Sequence, residues 1–294
     1  MARKRRGKGM PAWVLWAIGL IIGAAVVIAF FNYRRPAPAP GPVVPPPIIH
    51  RPPPVVVPPA PPVTTPVPPV AVAPLAGLPR LAIVIDDMGQ DLRKLDELSD
   101  MGVPITIAVL PHLVHSTDTA VRAHKRGMEV ILHLPMEPKS DENDPGKGAL
   151  WTAMTPDEVR GQMDGDIKAV PYAIGMNNHM GSKFTEDGPL MREVLAVAKK
   201  KRLFFLDSRT TPNSVASGIA REMGVATSDR DVFLDNERDV VKIKARIAEA
   251  VRLARKRGSA IAIGHPYPET IKALQESVST IDGVEVVRLS VLLK

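Results

Sequence analysis

A continuously apolar segment that ends in two adjacent carboxylates is the strongest constraint on how this chain folds. Residues 81–85 read Leu-Ala-Ile-Val-Ile without polar alternation, and Asp86 and Asp87 follow directly. Such a run is typical of a strand buried on both faces, as in parallel α/β sheets. Adjacent carboxylates repel each other unless a cation, a proton or hydrogen-bond donors compensate them. The segment therefore predicts a functional site at this strand end. The alternative is that one of the two aspartates only caps the following helix.

Apolar runs and amphipathic stretches alternate through the rest of the chain. Strands are predicted at 81–86, 105–110, 129–133, 173–177, 203–207, 259–264 and 283–289. The clearest predicted helices are 155–168, which opens with the capping-box spacing Thr155 to Glu158, then 188–201 and 238–257. This alternation predicts an α/β fold with a parallel sheet, most simply a (β/α) barrel of seven or eight strands. An open doubly wound sheet is the alternative.

The N-terminal region has the composition of a membrane anchor. Residues 1–11 form a basic tail, and residues 12–33 contain no charged side chain. About 20 apolar residues at 1.5 Å per residue span roughly 30 Å, the hydrocarbon thickness of a bilayer. The tail carries more positive charge than Arg34 and Arg35, so we predict a single-pass anchor in the inner (cytoplasmic) membrane, with the following domain in the periplasm or outside the cell. A cleaved signal peptide is the alternative, although its apolar region is normally shorter.

A proline-rich segment follows the predicted anchor. Residues 36–79 hold 19 of the 31 prolines of the chain. Proline fixes φ and lacks the amide donor, so residues 34–79 are predicted to be a semi-rigid polyproline-II linker. The folded domain is then predicted over residues 80–294.

The positive charge of the chain belongs to its N-terminal part. The first 80 residues contain nine Lys or Arg and no Asp or Glu, which leaves 29 basic and 31 acidic residues in 81–294. The net charge of +7 therefore gives no reason to expect nucleic-acid binding by the folded domain. The chain has no cysteine, which excludes thiol chemistry and disulfides.

Polar residues cluster at the carboxyl ends of the predicted strands. In chain order these residues are Asp86 and Asp87, His133, the run Asn177, Asn178 and His179, then Asp207 and Ser208, and finally His265. The carboxyl ends of barrel strands form the edge at which active sites are assembled. Imidazoles together with a carboxylate suit a zinc-type cation that activates water. The sequence therefore predicts metal-assisted hydrolysis at this edge.

Several of these segments resemble motifs of the NodB-type polysaccharide deacetylases, carbohydrate esterase family 4. Asp86-Asp87, His133 and Ile263-Gly264-His265 resemble the first, second and last motifs of that family. The divergent polysaccharide deacetylase branch is the closer match, through the segments His-Leu-Pro-Met-Glu-Pro (133–138), Pro-Gly-Lys-Gly-Ala-Leu (145–150), Asn-Asn-His-Met-Gly-Ser (177–182) and Leu-Asp-Ser-Arg (206–209). The resemblance covers all of 81–294. It implies a NodB-like barrel that removes acetyl groups from an N- or O-acetylated glycan, and the predicted anchor and linker point to an envelope polymer such as peptidoglycan.

The resemblance also implies a role for each matching residue. Asp86 corresponds to the general base, and His265 corresponds to the general acid that protonates the leaving group. Asp87 and His133 correspond to ligands of a divalent metal, most simply Zn²⁺.

The third metal ligand is left open by a departure from the family pattern. The main family has His-x-x-x-His, whereas this chain has His133-x-x-x-Glu137. Either Glu137 replaces the second imidazole, or His179 supplies it from the next strand. We favour His179, because Pro135 and Pro138 restrict the direction of Glu137 and two imidazoles with one carboxylate suit zinc.

Further residues at the same edge are candidates for supporting roles. Asn178, Asp207 and Ser208 are possible ligands, or groups that orient a ligand. Trp151, with the Gly/Pro-rich loop 138–150, is a candidate for covering the site and stacking on a sugar ring. The arginine-proline motif of the main family is missing near Asn177. The alternative function is therefore a non-catalytic envelope module that binds a glycan or a partner.

Overall fold

The computed structural model describes residues 77–293. The predicted tail, the predicted anchor and the linker up to residue 76 lie outside these residues. Within 77–293, no helix has both the length and the apolar character that a bilayer crossing requires.

Strands and helices alternate along the described chain. The strands are β1 (Arg80–Met88), β2 (Ile105–Val109), β3 (Glu129–Met136), β4 (Gly175–Met180), β5 (Phe204–Asp207), β6 (Thr227–Asp229), β7 (Val232–Phe233), β8 (Ser259–Gly264) and β9 (Glu285–Val287). The α-helices are α1 (Leu92–Ser99), α2 (Ser116–Lys125), α3 (Pro156–Ala169), α4 (Gly188–Lys201), α5 (Ala216–Met223), α6 (Val240–Arg257) and α7 (Pro268–Ser277). Three short 3₁₀ turns lie at Phe184–Glu186, Val278–Thr280 and Leu289–Leu292.

The strands form one sheet in which all pairs are parallel. Its order is β6-β5-β4-β3-β2-β1-β8-β7, and β9 pairs with the start of β1. From β1 to β6, neighbours in space are also neighbours in sequence, without the reversal of order that marks a doubly wound sheet. The predicted parallel α/β architecture is thus confirmed, as a half-barrel of eight strands.

The strands at the two ends of this order, β6 and β7, both belong to one short segment, residues 227–233. β6 pairs with β5, and β7 pairs with β8. Between these strands, the N–H of Arg230 donates to the carbonyl of Asp207 at 3.0 Å, and the N–H of Asp231 donates to the carbonyl of Ile261 at 2.9 Å. The segment therefore links the two ends of the half-barrel.

Local sequence signals set the ends of the helices. Thr155 and Glu158 form the predicted capping box at the start of α3, since each side chain bonds the backbone N–H of the other. Asp239 caps α6 by accepting from the N–H of Lys242, and Gly258 ends that helix with a φ of 87°. A residue with a Cβ is disfavoured at that φ, which explains the glycine.

The apolar residues of the strands divide between two cores. In β1, Leu81, Ile83 and Ile85 pack toward the helices, whereas Ala82 and Val84 pack toward the inside of the half-barrel. The inner core is small and consists of Ala82, Val84, Ala108, Ile131, Phe204, Leu206, Ile261, Ile263 and Leu289. Successive side chains of a strand point to opposite faces, so both faces of β1 are buried, as its unbroken apolar run predicts.

The structure corrects the predicted ends of two strands. His133 was expected to end its strand and the run 177–179 to follow its strand, but they lie inside β3 and β4. β3 continues because Leu134 and Met136 still pack in the outer core after His133 has turned inward. β6 and β7 were not predicted, since two or three residues are too few to show a periodicity.

Candidate active site

The inner face of the half-barrel changes from apolar to polar toward the carboxyl ends of its strands. Asp86 follows Ala82 and Val84 at the alternate positions of β1, and His133 follows Ile131 in β3. His265 follows Ile263 in the same way. Because side chains two residues apart share a face, the three polar residues lie above the inner apolar core.

A bulge in β1 brings Asp87 to the same place as Asp86. The pairing of β1 with β2 shifts register between Ile85 and Met88, and Asp87 has a φ of 55°. In a regular strand the two aspartates would point to opposite faces. Here Nε2 of His133 lies 3.2 Å from Oδ1 of Asp87 and 3.6 Å from Oδ2 of Asp86. A left-handed backbone at a non-glycine residue costs on the order of 1–3 kcal/mol, so the surrounding structure must hold it in place.

Asp87, His133 and His179 form a compact group of three potential metal ligands. One ligand atom of each lies within 4.8 Å of the other two. Nδ1 of His179 is 2.9 Å from Oδ1 of Asp87 and 3.1 Å from Nε2 of His133. His133 is buried, whereas Asp87 and His179 are half-buried, so the group is accessible from one side.

The hydrogen bonds around this group favour a cation at its centre. Nδ1 of His133 lies 2.8 Å from Oδ1 of Asn177, an acceptor, so this nitrogen carries the proton in the neutral ring. The Nε2 lone pair then faces Asp87, whose buried Oδ1 has no hydrogen-bond partner among the described residues. A divalent metal, or an extra proton, would resolve this repulsion. Two imidazoles and one carboxylate fit a zinc-type site with a position open for water.

The charges in the group are strongly coupled. Burial opposes a charge on Asp87, but the close imidazoles of His133 and His179, when they carry positive charge, hold the pKa of this carboxyl well below its usual range. Burial likewise opposes a charge on His133, but Asp86 and Asp87 outweigh it and raise the pKa of the imidazole to about 9. The site thus attracts positive charge.

Asp86 lies beside the three ligands rather than among them. It is buried, and its Oδ1 accepts a 2.8 Å hydrogen bond from Nδ2 of Asn177. Burial raises the pKa of Asp86, while the positive charge of His133 and His265 opposes the increase. This carboxyl is therefore placed to accept a proton.

His265 directly follows β8, lies beside the group and is held by Asp235. Nε2 of His265 lies 3.8 Å from Oδ2 of Asp87, and its Nδ1 lies 2.9 Å from Oδ1 of Asp235. Oδ2 of Asp235 accepts from the backbone N–H of His265 at 2.6 Å and from the hydroxyl of Thr270 at 2.7 Å. Burial lowers the pKa of His265, but Asp235, Asp87 and Asp86 raise it above the ordinary value.

Asp235 was not predicted from the sequence. It lies two residues beyond β7, a strand too short to be recognised, and therefore could not be assigned to this edge. The only sequence signal is an acidic residue shortly after the apolar residues 232–234.

Glu137 does not join the potential ligands. Its Oε2 accepts from the backbone N–H and the hydroxyl of Thr152, both at 2.6 Å, and its Oε1 pairs with Lys183 at 2.6 Å. Burial would raise the pKa of Glu137, but these hydrogen bonds lower it. Of the two alternatives left open by the sequence, the structure brings His179 rather than Glu137 to Asp87.

The remaining predicted residues support the loops at this edge. Asn178 donates to the carbonyl of Met180 at 2.8 Å and accepts from the N–H of Ser208 at 2.9 Å. The Ser208 hydroxyl is 3.1 Å from Nδ2 of Asn177. Asp207 accepts from the Ser214 hydroxyl at 2.6 Å, and burial raises its pKa. None of the three belongs to the potential ligand group.

Trp151 reaches the same edge through the end of β3. The backbone of Leu150 bonds with Pro135 and Glu137, both at 2.9 Å, so the next residue lies at the carboxyl end of that strand. Trp151 is 39% exposed, a large fraction for a tryptophan. It is therefore available for a ligand.

The sequence comparisons match this arrangement to a family. The profile described as divergent polysaccharide deacetylase matches residues 83–293, nearly all of the described chain. The chain belongs to the divergent polysaccharide deacetylase family. The resemblance inferred from the motifs is thereby confirmed.

Relatives within the divergent polysaccharide deacetylase family share most of the domain. The uncharacterized protein YibQ of Escherichia coli (strain K12) is 40% identical over 220 residues, which cover 74% of this chain and 68% of the relative. An uncharacterized protein of Haemophilus influenzae is 39% identical over 202 residues, covering 69% of this chain and 72% of the relative.

A solved structure shows the same fold. The uncharacterized protein ATU2773 of Agrobacterium tumefaciens C58 has a TM-score of 0.69 and 23% sequence identity, covering 73% of this chain and 89% of the other. At this identity the similarity shows a shared fold alone.

Proposed function

We propose that this protein is a metal-dependent hydrolase that removes acetyl groups from an envelope glycan. One observation carries the proposal: Asp87, His133 and His179 converge as potential ligands, with Asp86 3.6 Å from His133 and His265 3.8 Å from Asp87. Family membership supports the acetylated polysaccharide as substrate class. Zn²⁺ is the metal that best fits the two imidazoles and one carboxylate.

Asp87, His133 and His179 would hold the metal. When bound, a divalent ion at this site polarises a carbonyl and lowers the pKa of a water molecule. Asn177 keeps Nε2 of His133 turned toward the other two ligands because its Oδ1 accepts a hydrogen bond from the Nδ1–H of His133.

Two groups outside the ligand set would transfer the protons. Asp86 removes a proton from the attacking water, whose oxygen forms a bond to the acetyl carbon. His265 then donates its Nε2 proton to the departing nitrogen or oxygen of the sugar, and the bond from this atom to the acetyl carbon breaks. The products are acetate and a free amine or hydroxyl. Asp235 keeps Nε2 of His265 facing the site by its hydrogen bond to Nδ1.

The predicted cellular position is part of the proposal. The apolar segment 12–33 and the proline-rich linker would hold the domain outside the inner membrane, where peptidoglycan is the nearest acetylated polymer. Trp151 would stack on a sugar ring beside the site.

Two measurements on the purified full chain test the function. Elemental mass spectrometry should find about one divalent ion per chain, and acetate should be released from peptidoglycan or another N- or O-acetylated glycan. A glycan that binds without release of acetate in the metal-loaded protein would instead support a non-catalytic binding module. Failure to bind any divalent ion after reconstitution would contradict the proposal.

A further inference from the structure

The proposed acid His265 lies beside two aromatic rings. The ring centroid of Phe233 is 5.3 Å from that of His265, and the ring centroid of Tyr267 is 5.2 Å from it. Each of these rings carries an arginine on its face. The guanidinium carbon of Arg230 is 4.8 Å from the Phe233 centroid, and that of Arg238 is 3.7 Å from the Tyr267 centroid.

Neither arginine forms a direct ion pair within residues 77–293. Arg230 donates from Nε to the carbonyl of Ser208 at 2.7 Å and from Nη2 to the carbonyl of Arg209 at 3.1 Å. A carbonyl satisfies an N–H but does not cancel the charge. Across the described part of the chain, no carboxylate oxygen lies within 4.0 Å of a guanidinium nitrogen of Arg230, Arg238 or the neighbouring Arg209.

Nearby acidic side chains are already engaged elsewhere. Asp235 binds His265, and Asp207 accepts from Ser214. Glu237 pairs with Lys242, and Asp239 caps α6. Among the described residues, none of these acidic groups forms a direct ion pair with Arg230 or Arg238.

The environment of Arg230 makes this charge costly. Burial lowers the pKa of its guanidinium, and Arg209 and Arg246 add positive charge nearby, while Asp86 and Asp207 attract it. Arginine nevertheless stays charged in proteins. A guanidinium stacked on an aromatic ring is pre-organised and presents several N–H donors in one plane, which suits a carboxylate or a phosphate.

We propose that Arg230 and Arg238 each contact anionic groups, carboxylates or phosphates, on the glycan whose acetyl group is removed. This inference rests on the proposed function and narrows its substrate class from acetylated glycans in general to anionic ones. The arginines stack on the two rings beside His265, so these anionic groups would lie close to the departing atom of the substrate.

Binding of matched glycans to the full chain tests this inference. The probes are N-acetylchitotetraose, which is neutral, the tetrasaccharide of alternating N-acetylglucosamine and N-acetylmuramic acid, which carries carboxylates, and N-acetylchitotetraose phosphorylated at one C6 hydroxyl. We expect at least one anionic probe to bind about tenfold or more tightly than the neutral one, since hydrogen bonds to charged groups contribute roughly 1.5–3 kcal/mol. The better anionic probe identifies the carboxylate or the phosphate as the group recognised.

Variants distinguish the effect of the two arginines on anion binding from the effect of overall charge. In Arg238→Gln and in the double variant Arg230→Gln/Arg238→Gln, the ratio of anionic to neutral affinity should fall toward one. Arg252→Gln removes the same charge from an exposed position three turns along α6 and should keep the ratio of the unchanged protein. Arg230→Lys retains the charge at the partly buried position but loses the planar set of donors, so its preference should fall between that of the unchanged protein and that of the double variant.

The outcomes distinguish this inference from the proposed function. Equal affinity for neutral and anionic probes in the unchanged protein would overturn the inference even if acetate is released. An unchanged ratio of anionic to neutral affinity in the double variant would overturn it as well. A preference that depends on the arginines without any acetate release would support anionic binding and count against the hydrolase.

Discussion

The side-chain oxygen of Asn177 lies 2.8 Å from Nδ1 of His133, and this contact determines which imidazole nitrogen faces Asp87. The amide nitrogen of Asn177 donates a hydrogen bond to Oδ1 of Asp86, also at 2.8 Å. Because a carboxylate accepts only, the orientation of the amide is fixed, and its oxygen is left for His133. One buried side chain thereby positions both the proposed base and a proposed metal ligand.

Asn177→Ala should weaken metal binding by about 10–100-fold, the usual effect of removing the hydrogen-bond partner of a metal-binding histidine. Competition with a chromophoric chelator measures the change. Asn178→Ala is the matched control, because Asn178 bonds the backbone of Met180 and Ser208 and does not contact His133. The control should lower thermal stability with little effect on metal affinity. An equal loss of affinity in both variants would show that Asn177 acts only through the fold.

Asp86 and Asp87 should respond differently to substitution although they are adjacent. Asp86→Asn should retain the metal and lose turnover, because Asp86 lies beside the ligand group and supplies a proton acceptor. Asp87→Ala should lose both, because Asp87 contacts both imidazoles of the group. Metal content and acetate release, measured on the same preparations, check the two roles. Equal metal loss in the two variants would overturn this division.

His179 and Glu137 provide a second matched pair. His179→Ala should lose most of the bound metal, whereas Glu137→Gln should retain it, because both Glu137 oxygens are engaged by Thr152 and Lys183. Glu137→Gln should lower only thermal stability, through the lost charge opposite Lys183. Loss of metal in Glu137→Gln with retention in His179→Ala would reverse the ligand assignment.

Asp235 is predicted to position His265. Asp235→Asn should lower kcat by about 10–100-fold, part of the roughly 10²–10⁴-fold that a positioned acid contributes. KM and metal content should stay near their original values, because Asp235 does not contact the ligand group. Thr270→Val removes only the 2.7 Å hydrogen bond to Oδ2 of Asp235 and should have a smaller effect. A rise in KM, or a loss of metal, by the same factor as the loss of kcat would indicate a general disruption of the carboxyl edge of the sheet.

Local sequence patterns predict much of this architecture. The apolar run before Asp86 predicts a strand buried on both faces, and alternation along the strand then assigns Asp86 to the inner face. The capping box at Thr155 and the apolar periodicity of α4 predict two of the helices closely. Because parallel strands share one carboxyl edge, the convergence of His133, His179 and Asp87 could also be predicted.

Other features depend on tertiary contacts that leave no local signal. The left-handed backbone of Asp87 is needed only because Asp86 already occupies the inner face. The partner of His265 comes from a segment whose two-residue strand is defined by its pairing with β8 rather than by its own sequence. The hydrogen bonds of Glu137 to Thr152 and Lys183 join a strand to two loops, and the spacing of these residues does not reveal them.

Asp166, on α3, provides a test of stability that is independent of the metal. Its side chain is fully buried, and its Oδ1 lies 2.9 Å from Nε2 of Gln162 and 2.7 Å from Nε2 of His112. Its Oδ2 has no hydrogen-bond partner among residues 77–293. Burial raises the pKa of this carboxyl to about 6, against 3.8 for an unperturbed Asp. The folded protein therefore holds this proton more tightly than the unfolded chain does.

The sign of the pH dependence follows from that difference. Below about pH 4 the carboxyl is protonated in both states, and Asp166 then does not change the free energy of unfolding with pH. As the pH rises from about 4 to about 6, the unfolded chain loses the proton first, so the contribution of Asp166 to stability falls, by about 3 kcal/mol at most. Urea unfolding of the protein and of Asp166→Asn, at intervals between pH 4 and 7, should show the unchanged protein losing stability relative to the variant.

Asp164 on the same helix is the control for this measurement. It is exposed and pairs with Lys201 at 3.1 Å, and this contact lowers its pKa. Its stabilising effect is present above the ordinary Asp pKa and is lost as the pH falls, which is the opposite sign to Asp166. Relative to Asp164→Asn, the unchanged protein should therefore show no loss of stability as the pH rises from 4 to 7. If the difference between the unchanged protein and Asp166→Asn stays constant over this range, the buried carboxyl does not retain its proton.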